Sequence, residues 1–147
     1  MKALDLPPLW LIGFAALAWV LGGLAPSLRI GGWATIAGMF LVAAGVVVTG
    51  LAVLELSRAG TTIVPGREPA ALVTSGIFGY SRNPIYLADT LILTGLILYW
   101  NAALALPLAP VFAVLLRQRF ILPEENRLAG AFPAEFESYE RTTRRWI

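Results

Sequence analysis

Apolar residues fall in four long blocks along the chain, and almost all charged residues lie between or after them. The blocks cover roughly residues 9–25, 33–54, 85–100 and 102–122. A helix needs about 20 apolar residues to cross a bilayer, with a range of about 17–25. The second block meets that alone; the others need their flanks, which predicts a thin or tilted bundle. Asn101 marks a tight turn between the last two blocks, so these form a helical hairpin. The fourth block reaches residue 122 if Arg117 and Arg119 snorkel to the interface. The expected fold is therefore an all-α integral membrane domain with four transmembrane helices. Residues 55–84 form a cytoplasmic loop and residues 123–147 an amphipathic cytoplasmic tail.

Within the second block, Ala34, Gly38, Gly45, Thr49 and Ala52 share one helical face. Small residues let helices approach closely where lipid gives no hydrophobic drive. Packing within one chain is the preferred reading of this face. In the tail, Leu128, Phe132, Phe136 and Tyr139 recur at helical spacings, so this segment either lies on the membrane or folds against the loop. Pro123 either kinks a continuing fourth helix or opens a new one.

Composition agrees with a membrane domain. The 147 residues are 58% hydrophobic and only 14% charged, with a mean hydropathy of +0.74. A soluble domain is nearer a quarter charged. Of the 11 basic residues, only Arg29 falls outside the cytoplasm if both termini are inside. That is a strong positive-inside asymmetry. The first block is read as a retained span, because Asp5 interrupts the basic start that a signal peptide needs.

What is absent excludes much chemistry. The chain has no histidine and no cysteine. Zinc sites of the His/Cys type, thiol nucleophiles, histidine bases and iron–sulfur clusters fall away. No metal site is expected. Lys2, the sole lysine, lies at the chain's start, so Schiff-base chemistry is not expected. The small net charge of +2 and the lack of a basic aromatic stripe argue against nucleic acid.

Candidate chemistry gathers at one membrane face. Asn83 precedes Pro84 and is pushed away from helical dihedrals, while Pro84 suits the first turn of the third helix. Arg82, Tyr86 and Asp89 share a face if the helix reaches back that far. Asp89 lies about a turn inside the span, where a carboxylate calls for a partner, expected to be an arginine of the loop or tail. Glu124 and Glu125 follow Pro123 directly. Gly76 and Gly79 allow turns or a close backbone approach to a ligand.

"AGTTIVPG", "LVTSGIFGYSRNPIY" and "PEENRLAGAFPAEFESYERTTRRWI" together resemble the isoprenylcysteine carboxyl methyltransferase and phospholipid methyltransferase superfamily of small membrane enzymes. The resemblance covers residues 33–147. It implies a methyltransferase using S-adenosylmethionine, bound at the cytoplasmic end of the last two spans. It further implies cofactor contacts from Val73, Gly76, Tyr80, Arg82, Asn83, Pro84, Tyr86, Glu124 and Glu125, with Arg82 and Arg145 as the catalytic arginines. Asn83 stands where eukaryotic carboxyl methyltransferases have histidine, Pro133 replaces a glycine and Phe136 a tyrosine. The implied acceptor is lipophilic or amphipathic: an isoprenylcysteine carboxylate, a thiol or a lipid amine, reached from the surrounding membrane lipids. The implied location is a bacterial inner membrane. A sterol-reductase-like enzyme using NADPH and a non-enzymatic membrane subunit are the alternatives. Methyl transfer suits a chain without histidine or cysteine, since orientation alone can supply about 7–11 kcal/mol.

Overall fold

The computed structural model describes residues 6–61 and 70–147. Lys2 and Arg67, two of the basic residues that the sequence places on the cytoplasmic side, lie outside them. The described residues are helical, with no strand: α1 (Pro7–Leu24), α2 (Gly32–Arg58), α3 (Pro84–Tyr99), α4 (Leu108–Leu116), α5 (Leu122–Ala131) and α6 (Pro133–Thr142). Short 3-10 turns at Gly76–Gly79 and Ala103–Ala105 precede α3 and α4.

Three stretches are long and apolar enough to cross a membrane: Pro7–Leu24, Gly32–Arg58 and Ala103–Ala131. The 16-residue α3 is apolar but shorter. At 1.5 Å per residue it extends only ~24 Å, against a hydrocarbon core of about 30 Å. Asn101 stops it. This residue adopts a left-handed φ of 55°, its Oδ1 accepts the Gly31 N–H at 2.9 Å, and its Nδ2 donates to Thr35 Oγ1 at 3.1 Å. Those bonds tie the end of α3 to the start of α2.

The small-residue face of α2 packs on α3. A Cβ on Gly38 would stand 2.5 Å from the Gly95 carbonyl oxygen and the Tyr99 nitrogen. One on Gly45 would meet the Ala88 oxygen at 2.9 Å. The pairing of 38 with 95–99 and of 45 with 88–92 makes the two helices antiparallel. Phe14 of α1 and Phe112 of α4 meet at 5.0 Å between ring centroids. Leu93, Ile97, Leu116 and Ile121 complete a fully buried core. Ile12, Trp19, Phe40 and Val46 point outward and are exposed, as expected of helices apolar all round that face lipid.

The last apolar helix does not end near residue 122. A π-helical turn at Arg117–Ile121 carries it into α5. Pro123, which has no N–H to donate, falls in the first turn of α5 and is accommodated without a break. The segment assigned to the tail therefore begins as a continuation of the bundle, to Ala131.

α6 folds against the loop before α3. Phe136 and Tyr139 are buried, and the Tyr139 hydroxyl donates to the Phe78 carbonyl at 2.6 Å. Burial, foremost, raises the pKa of that phenol, so it stays a donor. Thr143 Oγ1 donates to the Gly79 carbonyl at 3.4 Å, and the Arg82 N–H to the Arg144 carbonyl at 2.9 Å. Of the two arrangements open to the tail, docking on the loop is the one observed.

Candidate functional site

Where the C-terminal segment of residues 143–146 crosses the start of α3, a buried polar cluster forms. Asn83 has φ −133° and ψ 57°, outside the helical region as its place before Pro84 requires. Arg82 consequently precedes α3 rather than sharing its face with Tyr86 and Asp89. The Asn83 Nδ2 donates to Glu125 Oε1 at 3.1 Å and to the Arg145 carbonyl at 3.2 Å. Ser81 Oγ accepts the Asn83 N–H at 3.2 Å.

Glu125 is the centre of this cluster and is 6% exposed. Arg145 donates from Nε to Oε1 and Oε2 at 3.2 and 3.0 Å, and from Nη2 to Oε2 at 2.8 Å. These bonds raise the pKa of the Arg145 guanidinium above its ordinary value. Arg82 adds Nε at 3.4 Å from Glu125 Oε1 and Nη1 at 2.7 Å from Glu140 Oε1. Its guanidinium carbon lies 5.9 Å from the Phe136 ring centroid. The two ion pairs are close but poorly aligned: Arg82 Nε and Nη1 are buried and lack a hydrogen-bond partner. Glu140 has no spacing signal in the sequence that links it to Arg82.

Glu124 turns the other way. It accepts from the Tyr86 hydroxyl at 2.7 Å, and Tyr86 stacks on Phe120 of the π turn, centroids 6.2 Å apart. The adjacent glutamates thus do different things, one inside the ion cluster and one on a cavity.

That cavity has a volume of about 390 Å³, within the ~300–1,000 Å³ of small-molecule sites. Its apolar wall comes from the start of α1 (Leu6, Pro7), the end of α2 (Val53, Leu56) and Phe78. Arg82, Asn83, Tyr86, Asp89 and Glu124 bring polar groups to it, and Pro84 lines it too. Five of the residues proposed from the sequence, Arg82, Asn83, Pro84, Tyr86 and Glu124, therefore meet on one wall. Glu125 and Arg145 lie behind that wall, in the ion cluster.

Val73, Gly76 and Tyr80 do not line it. Val73 is half-buried, and Tyr80 is 78% exposed. Gly76, at φ +56°, gives close approach to Glu55 rather than to the cavity: a Cβ there would lie 2.7 Å from Glu55 Oε1. Ser75 Oγ donates to that same carboxylate at 2.8 Å. A second, open recess of about 580 Å³ lies outside, among Thr74, Glu135, Ser138 and Tyr139. Asp89 has no arginine partner among the described residues, contrary to expectation, and its Oδ2 is left without a hydrogen bond.

The residues present fit a ligand of mixed charge. Arg82 brings a guanidinium to the wall that can pair with an anionic group, and Glu124 and Asp89 bring carboxylates that can pair with a cationic one. Apolar helices with a polar, partly unsatisfied cavity at one end describe a small integral membrane protein. Residues 33–135 match the model of the phospholipid methyltransferase family, and the chain belongs to that family. It is a family of membrane methyltransferases. No curated protein matches the chain.

Proposed function

We propose that this chain is an S-adenosylmethionine-dependent methyltransferase acting on a lipophilic or amphipathic acceptor. The observation that carries the reading is the cavity wall on which Arg82, Asn83, Tyr86 and Glu124 meet beside apolar helix ends. Membership of a methyltransferase family supports it. When bound, S-adenosylmethionine supplies a methyl group activated on a sulfonium.

The chain's own residues hold and orient. Arg82 would take the cofactor's carboxylate and Glu124 its ammonium, each through charge-assisted hydrogen bonds. Tyr86 fixes the Glu124 carboxylate by its 2.7 Å bond. Glu125, Arg145 and Asn83 hold the start of α3 and the C-terminal segment together, and so set the position of Arg82. Phe78, Pro84 and Leu56 exclude water from the wall. In this reading Arg145 positions Arg82 and does not touch the ligand. Both termini and the site face the cytoplasm, on the strength of the basic asymmetry.

The test is a titration of purified protein in detergent with S-adenosylmethionine and, separately, with NADPH. Saturable binding of S-adenosylmethionine alone supports the proposal. Binding of NADPH alone supports a reductase, and binding of neither a non-enzymatic subunit.

A further inference from the structure

Among the described residues, Arg82 is the one cationic side chain that lines the cavity. Its side chain is only 6% exposed, so its charge needs a counter-charge at hand. Two carboxylates face it, and they differ. Glu125 is deeply buried and already accepts three bonds from Arg145 and one from Asn83. It meets Arg82 only through Nε, at 3.4 Å. Glu140 stands closer, 2.7 Å from Nη1, yet its side chain is 51% exposed.

Helix α6 sets up this contact. Phe136 and Glu140 are four residues apart and so share a helix face. Phe136 is buried, and its ring centroid lies 5.9 Å from the Arg82 guanidinium carbon. Glu140 then reaches the same guanidinium from the solvent side. Arg141, next along, is engaged with Glu137. Water can solvate the Glu140 carboxylate if it lets go of Arg82, so the contact is cheaply broken. Glu125, released, would stay buried. Charge counts the same way. Arg82 and Arg145 balance Glu125 and Glu140. An anion arriving at Arg82 from the cavity adds one negative charge too many, and the departure of Glu140 restores the balance.

We infer that Glu140 is a positioning residue acting through Arg82: it is the exchangeable counter-ion that gives way to the ligand's anionic group. It thereby sets how tightly that group is held. A ligand with a carboxylate competes with Glu140, and one without an anionic group does not. This rests on the methyltransferase reading of the cavity and deepens it.

The experiment measures binding to the full chain in neutral detergent, without turnover. S-adenosylmethionine, its decarboxylated form and octanoate are titrated by calorimetry into the parent, E140Q, E140A and E140D. Circular dichroism checks folding, and the exposure of Glu140 leads us to expect folded variants. E140Q and E140A remove the competing charge, so both should bind S-adenosylmethionine and octanoate at least ~3-fold more tightly than the parent. E140D keeps the charge and should bind them as the parent does. The decarboxylated form should gain nothing in any variant. S-adenosylmethionine bound with unchanged or weaker affinity by E140Q and E140A overturns the inference. So does an equal gain for the decarboxylated form, which would mean a general loosening of the site. If octanoate gains as expected but S-adenosylmethionine binds no form of the protein, the exchange stands and the methyltransferase reading falls. If neither anion binds any form, both fall.

Discussion

Arg145 grips Glu125 through three nitrogen–oxygen hydrogen bonds of 2.8–3.2 Å, across 20 residues of chain. This pairing ties the last residues of the protein to α5, and through Asn83 and Arg82 to the start of α3. The cavity wall beside it depends on that tie.

Glu125→Gln should therefore destabilise the cofactor-free protein. It leaves Arg82, whose side chain is 6% exposed, without one of its two carboxylates. Breaking a buried pair by removing one partner costs about 3–5 kcal/mol. Thermal unfolding in detergent should show a clearly lowered midpoint. A midpoint equal to the parent's would show that the cluster holds nothing in place.

Glu124→Gln should leave the fold largely intact and weaken S-adenosylmethionine binding. A hydrogen bond to a charged group contributes about 1.5–3 kcal/mol, or roughly tenfold or more in affinity. Calorimetry on the folded variant measures it. Binding as tight as the parent's would remove Glu124 from the cofactor site.

Two glycines of α2 should respond in opposite ways. Gly38→Ala drives a methyl into the α3 backbone, where 2.5 Å is the available distance. Overpacking of this kind costs about 1–3 kcal/mol. Gly50 has nothing within 4 Å of the same position, so Gly50→Ala should raise stability by roughly 0.5–1 kcal/mol through helix propensity. Equal midpoints for the two variants would contradict the α2–α3 registry.

Orientation is checked with reporters. A fusion after Ile147 should behave as cytoplasmic and one at Ser27 as external. The reverse pattern would move the cavity to the other face of the membrane, away from a soluble cytoplasmic cofactor.

Much of the bundle was legible in the order of residues. Long apolar blocks become helices because a chain in lipid must satisfy its own backbone polar groups. The small face of α2 announced a close helix contact, and Asn83 before Pro84 announced the non-helical residue that starts α3. These are local effects, set by a residue's neighbours within a turn or two. Partners across helices depend instead on registry, which no spacing within one segment reports. Sequence placed Glu124 and Glu125 side by side; only the packing turned one to the cavity and buried the other under Arg145. Likewise the sequence put a carboxylate at position 89 and led us to expect an arginine for it. The tertiary structure spent Arg82 and Arg145 on Glu125 and left Asp89 facing the cavity alone. Pro123 could end a helix or join one, and the π turn at Arg117–Ile121, held by Phe120 against Tyr86, decided that the last helix runs on to Ala131.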